Sequence, residues 1–187
     1  MSTFAALADL YAEMESAYEQ VAVRLAFSCE GCPDNCCDSY FQHHTYLEWA
    51  YLWQGLSELP AERQAVYQAR AREAVASYRT ALSQGERPQV MCPVNDHGRC
   101  GLYRHRLLIC RLHGAPASLT SPNGQRRQFP GCFRCQELTQ GLSDVPTLDR
   151  TRFFKTMVRL EQEFLGARSR PRVKMTLAEM LLERPPG

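Results

Sequence analysis

The sequence predicts a small, mainly α-helical domain in which four or five helices surround two irregular, cysteine-rich loops. Apolar residues recur at helical spacing before and after these loops, and Ser or Thr stands at positions typical of helix N-caps. A chain of 187 residues with 44% hydrophobic and 22% charged residues is typical of one compact globular domain. We therefore expect residues 1–187 to form a single domain, with helices in residues 1–27 and 146–187 flanking a core in residues 28–135.

The first helix is predicted from an apolar stripe that advances in alternating three- and four-residue steps from Phe4 to Leu25. Ser2 or Thr3 is a typical N-cap for it. The stripe ends at Phe27, and the nearby segment CEGCPDNCC replaces helical periodicity with turn-forming residues. The first cysteine group is therefore expected in a loop at the end of this helix.

Four more helices are predicted from caps and periodicity. Thr45 and Thr176 each open a Thr-x-x-Glu capping box, which is typical of a helix start. We expect Trp49, Tyr51 and Trp53 to belong to the core and not to a cofactor site. The four helices are expected at residues 45–55, 60–82, 148–165 and 176–183.

Residues 90–135 form the irregular part of the sequence, because proline and glycine interrupt every long element there. Within this stretch, residues 102–112 are a candidate short helix, and Asn123-Gly124 is a candidate hairpin turn. So long a stretch with little regular structure is uncommon in a compact domain unless other bonds hold it in place.

The sequence contains no run of 18 or more apolar residues, so we expect no membrane-spanning segment and no membrane partner. Its first residues, MSTFAALADLYAEME, are acidic and polar where a secretory signal is basic and then apolar. We therefore expect a cytoplasmic protein. The net charge of +2 gives no bulk electrostatic reason to expect a nucleic-acid partner.

The nine cysteines are the most unusual feature of the composition. In a reducing compartment, clustered thiols more often ligate a metal than form disulfides. The segments CEGC and CFRC have the two-residue gap that lets a tight turn direct both sulfurs at one ion. Nine thiolates without a metal would change the net charge from +2 to −7, which a bound cation would offset. The sequence therefore predicts metal ligation by all nine: Cys29, Cys32, Cys36, Cys37, Cys92, Cys100, Cys110, Cys132 and Cys135.

The adjacent residues Cys36 and Cys37 are informative about the identity of the metal. Neighbouring side chains in extended backbone point apart, so both seldom reach one mononuclear zinc. Nine thiolates suit two tetrathiolate zinc sites or one or more iron–sulfur clusters. We favour an iron–sulfur cluster of the [4Fe–4S] type, with zinc or iron ions as the alternative. One of the nine cysteines is expected to be an ordinary buried thiol, and Cys132 and Cys37 are the first candidates.

Charge near the cysteines is strongly biased, because residues 97–135 contain seven arginines and no acidic residue. Arginine N–H groups can donate to anionic sulfur and offset the charge of a thiolate site, which is the interpretation we favour. A phosphate-binding patch is the rival, although the stretch has few aromatic residues for base stacking, and a solvated basic loop is the third possibility. The arginines are Arg99, Arg104, Arg106, Arg111, Arg126, Arg127 and Arg134.

The histidines are weaker candidates than the cysteines. His113, in the segment CRLHG, is the best of the five, since it could replace a thiolate or donate to one. We interpret His43 and His44 as surface or capping residues, and His97 and His105 as exposed loop residues.

Three segments, CEGCPDNCC, CPVNDHGRCGLYRHRLLICRLHG and CFRC, together resemble the YkgJ-like cysteine-cluster family, whose members are described as zinc- or iron-chelating. The resemblance covers about residues 28–135. It departs from the family pattern at Leu107, where proline is usual, so we expect a more helical turn after Arg106. The resemblance implies metal binding, with Tyr103, Arg106, Arg111 and His113 expected near the ligands. The matching positions are Cys29, Cys32, Cys36, Cys37, Cys92, Pro93, Arg99, Cys100, Tyr103, Arg106, Cys110 and Arg111.

The sequence thus favours a metal-binding protein with a structural or redox role. One alternative is an enzyme that uses the metal centre for methyl or other group transfer, since flagellin lysine methylases carry a similar cysteine group. No glycine-rich cofactor loop supports that alternative. Another is a zinc-stabilised binding module whose arginine-rich face meets nucleic acid or an acidic protein.

Overall fold

The computed structural model describes residues 2–29 and 36–186, except for the side chain of Cys36. About 53% of the described residues are helical, which confirms the predicted mainly-α class. None of the helices in these residues has the length and apolar character needed to cross a membrane. The α-helices of the described ranges are α1 (Thr3–Arg24), α2 (Tyr46–Ser57), α3 (Ala61–Ser83), α4 (Leu108–Leu112), α5 (Phe133–Thr139), α6 (Thr151–Leu165) and α7 (Leu177–Leu182).

Two small sheets accompany the helices. The first is an antiparallel pair, and the second has the order β4-β3-β5, with β4 antiparallel and β5 parallel to β3. The turn predicted at Asn123-Gly124 is confirmed, since it joins β3 to β4 and Gly124 has a φ of 82°. The parallel pairing of β5 with β3 was not predicted from the sequence. The strands are β1 (Asn95–Asp96), β2 (Arg99–Cys100), β3 (Ala117–Thr120), β4 (Arg126–Phe129) and β5 (Leu148–Asp149).

The backbone divides into two compact units, each built from two stretches of chain. Unit 1 consists of Met1–Cys36 and Arg111–Phe164, and unit 2 of Cys37–Cys110 and Leu165–Gly187. The predicted cysteine core, residues 28–135, therefore contributes to both units. The chain crosses from unit 1 to unit 2 between the adjacent residues Cys36 and Cys37.

Unit 1 begins with the predicted N-cap, because the Ser2 hydroxyl accepts a 3.2 Å hydrogen bond from the Ala5 backbone N–H. The helix predicted from residue 148 starts later, at Thr151, because Leu148 and Asp149 form β5. Asp149 Oδ1 accepts from the Thr151 backbone N–H at 2.9 Å and from its hydroxyl at 2.5 Å, which fixes this start. Among the buried apolar residues of unit 1 are Leu7, Leu10, Tyr11, Met14, Leu148, Phe153, Met157 and Leu160.

Unit 2 contains the other predicted caps. The Thr45 hydroxyl accepts from the Glu48 backbone N–H at 3.4 Å, and Thr176 and Glu179 form a complete capping box at the start of α7. The indole N–H of Trp49 donates to the Met180 carbonyl at 2.9 Å, so the tryptophan is buried with its polar atom satisfied. Among the buried apolar residues are Leu47, Leu52, Leu56, Tyr67, Ala71, Met180 and Leu181.

The helix predicted over residues 102–112 is in fact two pieces. A short 3-10 turn covers Tyr103–His105, and α4 begins only at Leu108. Arg106 lies between them in extended conformation, with φ −65° and ψ 144°, so the predicted helix is interrupted there and resumes two residues later. Glu48 Oε1 accepts a 2.6 Å hydrogen bond from the Leu108 backbone N–H, which supplies a cap from a distant helix.

Candidate metal-binding thiols

Unit 2 brings together four of the predicted ligands, Cys37, Cys92, Cys100 and Cys110. The segments that carry the first two lie side by side, because the Cys92 backbone N–H donates to the Cys37 carbonyl at 2.9 Å. A second bond, 3.2 Å long, runs from the Val90 N–H to the carbonyl of the residue after Cys37. This pairing sets the position of the first thiol relative to the second.

A tight turn shapes the surroundings of the Cys92 sulfur. The Asn95 N–H donates to the Cys92 carbonyl at 2.9 Å, and the Val94 backbone N–H donates to the Cys92 sulfur. The β1–β2 hairpin then returns Cys100 to this turn, where the Gly101 N–H donates to the Val94 carbonyl at 2.8 Å. A backbone N–H directed at sulfur stabilises the thiolate, which is the form that binds a metal.

The four thiols of unit 2 influence one another's ionisation. Burial raises the pKa of the Cys92 thiol well above its ordinary range, and Cys110, Cys100 and Cys37 add to the rise. Burial likewise raises the pKa of Cys110 to about 12, with further contributions from Cys100, Cys37 and Glu48. Without a cation Cys92 and Cys110 are neutral at neutral pH, and a bound cation would favour their thiolate forms.

A polar network anchors the hairpin between Cys92 and Cys100. Asp96 accepts hydrogen bonds from the Tyr67 hydroxyl, from Arg63 at 2.5 Å and from Arg70 at 2.9 Å. Gly101 lies against the same groups, since a Cβ there would lie 1.7 Å from the Tyr67 hydroxyl oxygen. This network was not predicted from the sequence. The position of an acid between two cysteines, in CPVNDHGRC, was the one signal of it.

Arg106, predicted to lie near the ligands, has a charge that acts on one thiol of unit 2. Its guanidinium lies 4.0 Å from the centre of the Tyr103 ring, and its Nη2 donates to the Tyr103 hydroxyl at 3.1 Å. The charge of Arg106 lowers the pKa of Cys110, against the larger effects that raise it. Arg106 therefore favours the Cys110 thiolate, whereas the Glu48 carboxylate opposes it.

Unit 1 contains a second set of thiols, Cys29, Cys132 and Cys135. Cys29 is exposed, Cys132 is half-buried and Cys135 is fully buried. Cys132 is the N-cap of α5, and its backbone N–H donates to the Gly114 carbonyl at 2.9 Å. Burial raises the pKa of Cys135 to about 11, and the charges of Cys132 and Cys29 would add to the rise.

Cys32 and Cys36 are the two predicted ligands that belong to neither set of described thiols. Cys32 and the Cys36 side chain lie outside the described residues, so their role stays a prediction. Cys37 and Cys132 were the candidates for an ordinary buried thiol. Both lie beside other cysteines of their own unit, and neither is fully buried.

The predicted neighbours of the ligands lie in different places. Tyr103 is half exposed and contacts Arg106. Arg111 is buried in unit 1, where its guanidinium lies 4.0 Å from the centre of the Tyr11 ring. His113 is half-buried in the same unit.

Two histidine predictions are wrong. His43 is buried and not at the surface, because its backbone pairs with Met175 through hydrogen bonds of 2.7 and 3.1 Å. His105 is half-buried and not exposed, since its ring centre lies 4.5 Å from that of Tyr51. His44 is at the surface, as predicted, and its Nδ1 donates to a backbone carbonyl at 3.0 Å.

Within residues 2–29 and 36–186, no group of three or more His, Cys, Asp or Glu side chains is arranged as metal ligands. Comparison with protein-family models, curated proteins and solved structures gives no match. The resemblance to the YkgJ-like family therefore depends on the quoted segments alone.

Proposed function

We propose that this protein binds metal through clustered cysteine thiolates, as an iron–sulfur cluster or as zinc or iron ions, with a structural or redox role. The observation that supports the proposal best is the grouping of Cys37, Cys92, Cys100 and Cys110 in unit 2. Cys37 comes from a different segment of the sequence from the other three, so proximity along the chain does not explain the grouping.

The donor set fits a thiophilic metal. A backbone N–H directed at one sulfur and a guanidinium near another stabilise the thiolate form, against the larger effect of burial. Tetrathiolate sets of this kind hold zinc or a [4Fe–4S] cluster. A bound cation would favour the thiolate forms and offset the repulsion between the ionised sulfurs.

The structural role is supported by the scarcity of regular secondary structure around these thiols. The segment from Cys92 to Cys110 contains only two two-residue strands, a 3-10 turn and the first residues of α4. Structural zinc contributes roughly 10 to 16 kcal/mol in small peptides, compared with about 5 to 15 kcal/mol for the stability of a whole domain. A cluster in the same place would in addition accept or donate an electron.

The two alternatives have less support. The arginine-rich stretch is the basis for nucleic-acid or acidic-protein binding, but at least three of its arginines have internal contacts. Arg106 contacts Tyr103, Arg111 contacts Tyr11, and Arg126 donates to Ser118 at 3.2 Å. We therefore interpret these three side chains as structural and not as a binding surface. Group transfer has no further observation in its favour.

The test is purification of the full chain without oxygen, followed by metal analysis, acid-labile sulfide determination and absorption spectroscopy. We expect tightly bound zinc without colour, or iron and sulfide with a charge-transfer band. Cys110→Ser should lower the metal content about tenfold or more, because it removes a ligand. Val94→Thr is the matched control, since it buries a hydroxyl at the same turn and keeps every thiol. A metal-free wild-type protein, or equal metal in Cys110→Ser, would contradict the proposal.

A further inference from the structure

We infer that Glu48 is a positioning residue for the thiol site of unit 2, because its carboxylate fixes the start of the helix that carries Cys110. The role of Cys110 as a ligand rests on the proposed function, whereas the contacts of the carboxylate lie within unit 2 whether or not a metal is bound. α2, which carries Glu48, contains no cysteine. Its part in the site is therefore to hold a ligand and not to supply one.

Glu48 is a buried carboxylate with both oxygens in hydrogen bonds. Only 5% of the residue is exposed. Its Oε2 accepts from the Thr45 hydroxyl at 2.8 Å, and its Oε1 accepts from the Leu108 backbone N–H at 2.6 Å. The first bond fixes the side chain against the start of its own helix. The second satisfies the first N–H of α4, which has no acceptor within that helix.

The two Thr-x-x-Glu motifs of unit 2 use their carboxylates differently. In α7, the Glu179 carboxylate accepts from the backbone N–H of its own N-cap, Thr176, at 2.7 Å. In α2, the equivalent carboxylate accepts from Leu108, which lies 60 positions away in the sequence. A motif that typically stabilises one helix start thus joins two distant segments of the chain.

Two more contacts from the same face of α2 hold the residues before α4. Glu48, Tyr51 and Gly55 are three and four positions apart, so they lie on one face of the helix. The Tyr51 ring centre lies 4.5 Å from that of His105, and a Cβ on Gly55 would lie 2.8 Å from His105 Cβ. Glycine therefore permits this close approach. One face of α2 thus contacts the chain at successive points directly before Cys110.

The charge of Glu48 does not explain why a carboxylate stands here. Besides burial and the neighbouring thiols, this charge raises the pKa of Cys110, which opposes the thiolate that binds a metal. Burial of a carboxylate is also unfavourable unless hydrogen bonds offset the lost hydration. The position of the ligand does explain it. Cys110 is the third residue of a five-residue helix, so the hydrogen bond at its start sets the backbone that presents the sulfur.

Two conservative substitutions separate the reach of the side chain from its charge. Glu48→Asp keeps the charge and shortens the side chain by one methylene, whereas Glu48→Gln keeps the length and an acceptor oxygen and removes the charge. In the full chain purified without oxygen, we expect Glu48→Asp to release its metal to a chelator about fivefold faster than the wild type, because the cap is lost. Amide hydrogen exchange at residues 108–110 should rise as well. Glu48→Gln should release metal no faster than the wild type.

Glu179→Asp is the matched control, since it makes the same change at the same motif position in another helix of unit 2. It withdraws the carboxylate from the Thr176 N–H and leaves the hydrogen bond to Leu108 in place. Metal release and hydrogen exchange at residues 108–110 should therefore stay at the wild-type level.

The outcomes separate this inference from the proposed function. Wild-type release from Glu48→Asp, or equal acceleration in Glu48→Asp and Glu48→Gln, overturns the positioning role and leaves metal binding by the thiols in place. Equal acceleration in Glu179→Asp also overturns it, because the effect would then be a general loss of stability. A metal-free wild-type protein instead contradicts the proposed function, and this inference with it.

Discussion

The backbone N–H of Cys92 donates a 2.9 Å hydrogen bond to the carbonyl oxygen of Cys37. This bond joins the last residue of the first cysteine group to the first residue of the second. Because it is a backbone bond, it sets the spacing of the two residues whether or not a metal is bound. The remaining two thiols of unit 2 are brought to this pair by the β1–β2 hairpin and by α4.

Metal removal should loosen this part of unit 2 first. A strong chelator added to the native protein should increase amide hydrogen exchange in residues 90–110 before exchange increases in α1. The reason is that residues 90–110 contain little regular secondary structure. Hydrogen-exchange mass spectrometry measures both regions in one experiment. Equal and simultaneous loss of protection in α1 would show that the metal-dependent unit is the whole chain.

Removing the Tyr67 hydroxyl should weaken the anchor of the hairpin. Tyr67→Phe deletes the hydrogen bond to Asp96 and the 3.1 Å bond that the hydroxyl accepts from Arg63 Nε, so we expect a loss of about 1 kcal/mol of stability. Chemical denaturation of the metal-loaded protein measures it. Tyr103→Phe, which removes a hydroxyl at an exposed position, is the control and should change stability less. Equal stability of Tyr67→Phe and the wild type would show that the anchor contributes nothing.

Local signals predicted most of the helices. Ser2, Thr45 and Thr176 cap the helices they were expected to cap, because each cap is formed by residues three apart in the sequence. The start of α4 was missed for the opposite reason. Its first N–H is satisfied by Glu48, which lies in another helix and shows no sign of this role in the sequence.

The sheet and the division of the thiols were not accessible from sequence patterns. β5 is only two residues long and pairs in parallel with β3, so neither alternation nor a hairpin turn reveals it. The sequence suggested that Cys36 and Cys37 point apart. It did not show that the chain passes from one unit to the other between them, because that boundary depends on contacts between distant residues.

Arg106 should tune the unit 2 site without holding the metal. Arg106→Ala removes a positive charge that favours the Cys110 thiolate, so we expect the metal to remain bound but to be extracted by chelator several-fold faster. Arg104→Ala, an exposed arginine of the same stretch, is the matched control. Identical extraction rates for Arg106→Ala and the wild type would make Arg106 a surface charge.

His43 should make the protein less stable in mild acid. Burial, with a smaller contribution from His44, lowers the pKa of His43 from 6.5 to about 3, so the unfolded chain binds a proton that the folded chain does not. The contribution of the neutral His43 ring to the free energy of unfolding is complete above pH 6.5 and is lost as the pH falls toward 3. At pH 4 we expect a loss of roughly 3 kcal/mol relative to pH 7.

The histidine effect is isolated by comparison with His43→Asn. Denaturation at pH 7, 5 and 4 should give a steeper fall in stability for the wild type than for the variant, which has no imidazole to protonate. Parallel pH profiles of the two proteins would mean that His43 does not titrate in this range.

Metal ligation by sulfur is tested most directly by X-ray absorption at the metal edge, on the full chain purified without oxygen. We expect a first coordination shell made of sulfur alone, with metal–sulfur distances of about 2.3 Å. A shell dominated by nitrogen or oxygen at about 2.0 to 2.2 Å, or protein that contains no metal, would contradict this account.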